Sequence, residues 1–183
     1  MIKAFKYRIY PNQEQKQLLC STFGHNRFMW NHMLSERISI YEQLKDDKEQ
    51  LFKHKYRTEK EYKADFVFLS EVDSVTLQQT RLNLNQSYQN FYRKVRKNAT
   101  EKGFPKFKKK SNTQSAKTVN TNDNCKIDFD LKKIKLPKLG WINYQDDRIF
   151  YSKIKSVTVS KNTSNQYFAS ILTDTNELPK VSL

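Results

Sequence analysis

Residues 2–10 alternate. Phe5, Tyr7 and Ile9 fall on one face, and Lys6, Arg8 and Tyr10 on the other. A period of two predicts a half-buried strand with a basic outer face. Pro11 ends it. Asn12, with Gln15 three residues on, has the form of a capping box, so a helix is expected to start there and carry Leu18, Leu19 and Phe23. Gly24 is expected to stop or kink that helix. A second helix then carries Phe28, Trp30, Met33, Leu34, Ile38, Tyr41 and Leu44. Residues 45–63 are charged and without a clear period, with room for one short helix. Asp73 or Ser74 suits the cap of the next helix. Leu77, Leu84, Tyr88, Phe91 and Val95 follow at steps of 7, 4, 3 and 4, a helical stripe.

Beyond Gly103 the period shortens to two. Cys125–Phe129, Lys133–Leu136 and Ile154–Val159 alternate, and Asn162-Thr163-Ser164-Asn165 reads as a turn into Tyr167–Leu172. The first strand needs partners for its backbone, and the helical block offers none. Pairing with the C-terminal strands is the economical solution. The predicted fold class is therefore α+β: a small β-barrel built from the first strand and the C-terminal strands, with a helical block inserted.

Charge changes the picture. The 183 residues carry 34 Lys and Arg against 19 Asp and Glu, a formal charge of +15. Residues 12–92 hold eleven of each sign, whereas residues 93–110 hold nine cations and Glu101 alone. Such a cluster fits a polyanion, because each phosphate neutralised releases counterions. Phe104 and Phe107 lie among these lysines, where aromatic rings either stack on bases or anchor the segment to a core. No apolar run approaches a membrane span and the N-terminus has no signal core, so a cytoplasmic, folded protein without a membrane partner is expected, with nucleoid association open to it.

Enzyme chemistry is not legible. His25, His32 and Cys20 lack a fourth ligand and are expected to be ordinary polar groups, with no metal. Asp46-Asp47 and Asp146-Asp147 are adjacent pairs in loops, whose members diverge on a strand. Three glycines cannot supply a P-loop or a dinucleotide fingerprint, and no cofactor is expected.

Several phrases then stand in order. They are Phe5-Lys6-Tyr7-Arg8-Ile9-Tyr10-Pro11-Asn12 with Gln15, Phe23-Gly24-His25-Asn26-Arg27-Phe28-Met29-Trp30-Asn31, Leu69-Ser70-Glu71-Val72-Asp73 and Leu77-Gln78-Gln79. Tyr88-Gln89-Asn90-Phe91-Tyr92-Arg93, Gly103-Phe104-Pro105-Lys106-Phe107-Lys108, Lys135-Leu136-Pro137-Lys138-Leu139-Gly140-Trp141 and Ile154-Lys155-Ser156-Val157-Thr158-Val159-Ser160 follow. Together they resemble the N-terminal half of the TnpB (OrfB) family of insertion sequences, which carries a helix-turn-helix description and is transposase-associated.

The resemblance implies a wedge β-barrel interrupted by a helical recognition lobe. Residues 1–10 would form the first wedge strand, 11–100 the lobe, and 101–183 a basic loop and the rest of the wedge. It implies guide RNA and target DNA as partners, with the protein reading a short DNA motif and base pairing reading the rest. By position, Ser74, Val75, Gln78, Thr121 and Asn122 would read the motif. A glutamine amide such as that of Gln78 can pair bidentately with adenine. Lys3, Arg8, Arg27, Arg93, Arg96, Lys106 and Lys108 would contact RNA phosphates. Trp30, Phe91 and Trp141 are expected in the core.

Relatives continue into a RuvC-like nuclease and a zinc ribbon. Leu178-Pro179-Lys180 resembles the segment that precedes their first catalytic Asp. The nuclease carboxylates are expected to be missing, and with them cleavage, since two-metal chemistry needs them. The sequence thus predicts a nucleic-acid-binding module that does not cut. The alternatives are a remnant of a transposon gene and an RNA-independent helix-turn-helix DNA binder.

Overall fold

The computed structural model describes residues 1–174; Leu178-Pro179-Lys180 lies outside them. The chain divides into two compact units. One comprises residues 1–23 with those from 110 onward, and the other residues 24–109.

The first unit is a seven-stranded antiparallel sheet, ordered β2-β6-β7-β1-β5-β4-β3. The strands are β1 (Ile2–Tyr10), β2 (Gln114–Val119), β3 (Lys126–Asp128), β4 (Lys133–Leu136), β5 (Gly140–Tyr144), β6 (Lys153–Lys161) and β7 (Tyr167–Asp174). β1 lies at the centre, as expected of a strand that must borrow its partners. It pairs with β7 from Ile2↔Asp174 to Ile9↔Tyr167, and with β5 through Ile9↔Tyr144. The hairpin expected around residues 162–165 joins β6 to β7, with Asn165 in the left-handed region.

The sheet is not the closed barrel expected. Its edges, β2 and β3, are consecutive in sequence but share no ladder. The link between them spans at most about 25 Å. Seven flat strands at about 4.8 Å spacing would separate the edges further, so the sheet must curl. At the point of closure, side-chain chemistry replaces the ladder. The Asn120 amide accepts from Cys125 N–H at 3.0 Å and donates to the Ile154 carbonyl at 3.0 Å. β3 is three residues long and is spent on β4.

The inward face is apolar. Tyr7, Ile9, Ile134, Leu136, Ile142, Tyr144, Val157, Val159, Ala169 and Ile171 are buried, together with Leu19 and Phe23 of the first helix. β2 and β5 gave no apolar alternation. β2 turns only Ala116 and Thr118 inward, and β5 buries Ile142 and Tyr144 beside a conspicuous tryptophan. That tryptophan, Trp141, was expected in the core and is 44% exposed. The strand period explains it, because Ile142 and Tyr144 occupy the inward parity and Trp141 must take the other.

Helix α1 (Gln13–Leu44) begins at the capping box. Asn12 N–H donates to Gln15 Oε1 at 3.0 Å, and Gln15 N–H to Asn12 Oδ1 at 2.9 Å. Gln15 Nε2 also donates to the carbonyls of Leu139 and Trp141, at 3.0 and 2.9 Å, tying the helix start to the β4–β5 hairpin. We expect Gln15→Ala to cost about 1.5 kcal/mol, read as a lower denaturation midpoint at unchanged m-value.

The break expected at Gly24 is absent, and α1 runs through it. A glycine in a helix interior costs about 1 kcal/mol. Burial of Leu19 and Phe23 before it, and of Met29, Trp30, Met33 and Leu34 after it, outweighs that cost.

The second unit comprises the rest of α1, α2 (Lys48–Lys53), α3 (Glu59–Asp65), a 3-10 turn (Val67–Glu71) and α4 (Ser74–Arg96). Met29, Trp30, Met33, Leu34, Tyr62, Leu69, Val72, Leu77 and Leu84 form its core. Asp73 caps α4 by accepting from Val75 N–H at 3.2 Å. Glu36 of α1 accepts from Arg57 and from the Tyr62 hydroxyl, which fixes the approach to α3. Burial alone would raise the Glu36 carboxyl, but these hydrogen bonds outweigh it and hold it below its ordinary value.

Candidate nucleic-acid interface

In the sheet unit, the face opposite the core is basic and carries rings. Register places its side chains in rows. Lys126 lies opposite Lys135, and Lys135 opposite Trp141. The next row runs Asp128, Lys133, Asn143, Tyr10. Directly opposed side chains on one face stand about 5 Å apart, where like charges repel. Lys126 and Lys135 are both exposed, and the acid nearest in register, Asp128, faces Lys133 and accepts the Leu131 N–H at 2.8 Å.

Across the centre the theme repeats. Arg8 lies opposite Phe168, and Lys6 Nζ sits 4.5 Å from the Phe168 ring centre. The Arg8 guanidinium sits 5.4 Å from the Tyr10 ring, which is 43% exposed. Lys3 has the parity of Phe5 and Tyr7, so it lies on the other face of β1 from Arg8 and joins no row with it. Thr121 and Asn122 lie in the β2–β3 link. Thr121 is committed to the turn through Asn124, at 3.2 and 3.3 Å, and Asn122 sits at its apex with φ +53°.

In the helical unit, the basic segment is docked. Trp30 Nε1 donates to the Lys106 carbonyl at 3.0 Å. Asn31 brackets the Lys108 backbone, donating to its carbonyl at 3.0 Å and accepting its N–H at 2.8 Å. Phe104 meets Tyr88 and Phe91 edge-on, with ring centres 5.6 and 5.2 Å away, and Pro105 is buried. Phe104 therefore anchors the segment while remaining 43% exposed, and Phe107 is 52% exposed. Gly103, at φ +66°, supplies the backbone conformation that turns the chain into this dock.

Lys106 is exposed on the docked strand. Lys108 lays its ammonium over Trp30, 4.0 Å from the ring centre, and burial there lowers its pKa. Arg93 and Arg96 are exposed on the last turns of α4, where they also complement the helix dipole. Arg27 lies half-buried on α1. Ser74, Val75 and Gln78 share the opposite end of α4, about 22 to 28 Å from Arg93 by helix rise. The Ser74 hydroxyl accepts from Lys63, Val75 is half-buried and Gln78 is exposed. Lys126, Lys133 and Lys135 were missed as a group because β3 and β4 meet only through register.

Exposed rings among cations on the outer face of the sheet are features of a nucleic-acid-binding module, and so, within the helical unit, is a docked basic strand. Residues 1–46 match the family model of the OrfB_IS605-type helix-turn-helix domain. The chain is 28% identical over 168 residues to "Putative RNA-guided DNA endonuclease InsQ" of Escherichia coli K12, covering 92% of this chain and 40% of that protein. A Streptomyces pristinaespiralis relative with the same endonuclease description is 27% identical over 177 residues, covering 97% and 42%. Virulence protein VsdF of Salmonella dublin is 31% identical over 117 residues, which are 60% of this chain and 95% of that one. The chain is thus similar to the N-terminal part of OrfB/TnpB-type insertion-sequence proteins and aligns with about 40% of the length of the endonuclease relatives. Despite the helix-turn-helix description, residues 13–44 are one uninterrupted helix. Among the described residues, no helix is long and apolar enough to cross a membrane.

Proposed function

We propose that this module holds a guide RNA of the TnpB type on the outer face of its sheet and touches target DNA without cutting it. The observation that carries the reading is the row Lys126, Lys135, Trp141. Two lysines face each other at register distance, a repulsion that a bound phosphate chain relieves, with an exposed indole beside them for a base. Arg8, Lys6 and Phe168 extend the same chemistry across the central strands. In the helical unit, Lys106, Arg93 and Arg96 offer phosphate contacts. Gln78 offers an amide for a DNA base at the other end of α4. The uninterrupted α1 speaks against a DNA-reading helix-turn-helix, which needs a turn between two helices.

The test is purification at moderate salt from a host carrying the surrounding transposon, followed by sequencing of bound RNA. A discrete RNA ending at the transposon boundary is expected, displaced by RNA in preference to duplex DNA. Incubation with magnesium and motif-flanked DNA is expected to leave the DNA intact. Monodisperse protein with no enriched RNA would remove the guide reading and favour the remnant.

A further inference from the structure

The helical unit contains a cavity of about 800 Å³, the size of sites that hold small ligands. Its wall is aromatic, and its one deeply buried charge is Arg37, 9% exposed. The guanidinium carbon lies 4.6 Å from the Tyr56 ring centre and 5.2 Å from that of Tyr88. Nη2 donates to Asn85 Oδ1, and Nε, also buried, has no hydrogen-bond partner among the described residues.

Among the described residues no carboxylate forms an ion pair with this cation. Glu36, its neighbour in sequence, is taken by Arg57 and Tyr62, and Glu42 on the cavity wall is bonded by Lys45 at 2.8 Å. Rings on a desolvated cation return about 2 kcal/mol each way at best, whereas burying it costs several. Burial accordingly pulls the Arg37 pKa below its ordinary value. Arg37 thus lines the cavity as a cation with an unused Nε–H donor, and a guanidinium is the group that pairs with phosphate oxygens. Lys48 and His54 stand on the same wall, and Tyr92 and Phe104 present half-exposed rings at its rim.

We propose that this cavity binds a single nucleotide, its phosphate on the Arg37 edge and its base stacked on Tyr92 and Phe104. The occupant is either a free mononucleotide or the terminal residue of a strand. The inference stands apart from the guide-RNA reading, because mononucleotide binding is measurable on protein that holds no guide.

The test is calorimetric titration of the 183-residue protein with AMP, with adenosine and inorganic phosphate as separate titrants. Saturable AMP binding is expected, with adenosine and phosphate each at least about tenfold weaker. Tyr92→Ala removes an exposed rim ring and should weaken AMP at least about fivefold at unchanged thermal stability. Arg37→Met should abolish the preference for AMP over adenosine. If Arg37→Met does not fold, Tyr92→Ala and the adenosine comparison still decide. No saturable AMP binding up to about 5 mM, or equal affinity for AMP and adenosine, overturns the proposal. So does a Tyr92→Ala protein that binds AMP like the unaltered chain. A 5′-phosphorylated tetranucleotide separates the sources. Binding tighter than AMP assigns the cavity to a strand end, and weaker or equal binding assigns it to the free nucleotide.

Discussion

Replacing Lys126, Lys133 and Lys135 together by Gln should lower the slope of log affinity against log salt by about 2 for single-stranded RNA. Each neutralised phosphate contributes about 0.7 to that slope. The three lysines occupy two adjacent rows of one face, exposed or half-exposed. Loss of the Lys126–Lys135 repulsion offsets loss of the Lys133–Asp128 attraction, so the fold should stay about as stable as before. Loss of RNA affinity with retained stability is therefore the signature of a binding role. Trp141→Ala should act differently on the same row. A stacked base is worth about 1–3 kcal/mol, so affinity should fall about tenfold or more while the salt slope stays unchanged. Filter binding across a salt series reads both quantities. If the Trp141 variant binds RNA as the unaltered protein does, the sheet face is not the platform.

Tyr7→Ala should be the most destabilising single change in the sheet unit, at about 4 kcal/mol. Tyr7 is fully buried on the central strand, and its ring meets Tyr144 with centres 5.0 Å apart. Its hydroxyl donates to the Arg148 carbonyl at 3.1 Å. Burial pushes the phenol up to about 12, so it stays a neutral donor across the physiological range. Tyr7→Phe keeps the ring and loses one hydrogen bond, so about 1 kcal/mol is expected. Urea unfolding, with amide exchange in β1 and β7 as a local readout, checks both. A Tyr7→Ala protein within 1 kcal/mol of the unaltered chain would show that this site collapses around the loss, contrary to the close packing expected of a core.

Much of the local structure was written in the chain. Alternation over residues 2–10 set which side of β1 faces the core, because a strand has only two faces. Asn12 with Gln15, and Asp73, marked two helix starts, because short polar side chains at those offsets satisfy the free N–H groups. β3, β4, β6 and β7 were visible where apolar and polar residues alternate. β2 was not, since Ala116 and Thr118 give too little contrast. Gly24 misled because local propensity favours a break, while burial on both sides of it keeps the helix intact.

Sequence by itself therefore determined the periods, the caps, the net charge and the resemblance to OrfB/TnpB-type proteins, all of which depend on residues close in the chain or on matched phrases. Tertiary structure alone decided what stands beside what. The row of Lys126, Lys135 and Trp141 exists only through register between strands. The Asn120 side chain ties Cys125 N–H to the Ile154 carbonyl across residues distant in the chain. Among the described residues Arg37 is buried without an ion-pair partner, while Glu36 beside it in the chain is held by Arg57 and Tyr62. Each of these is set by pairing and competition among residues distant in the chain, which no window of the sequence contains.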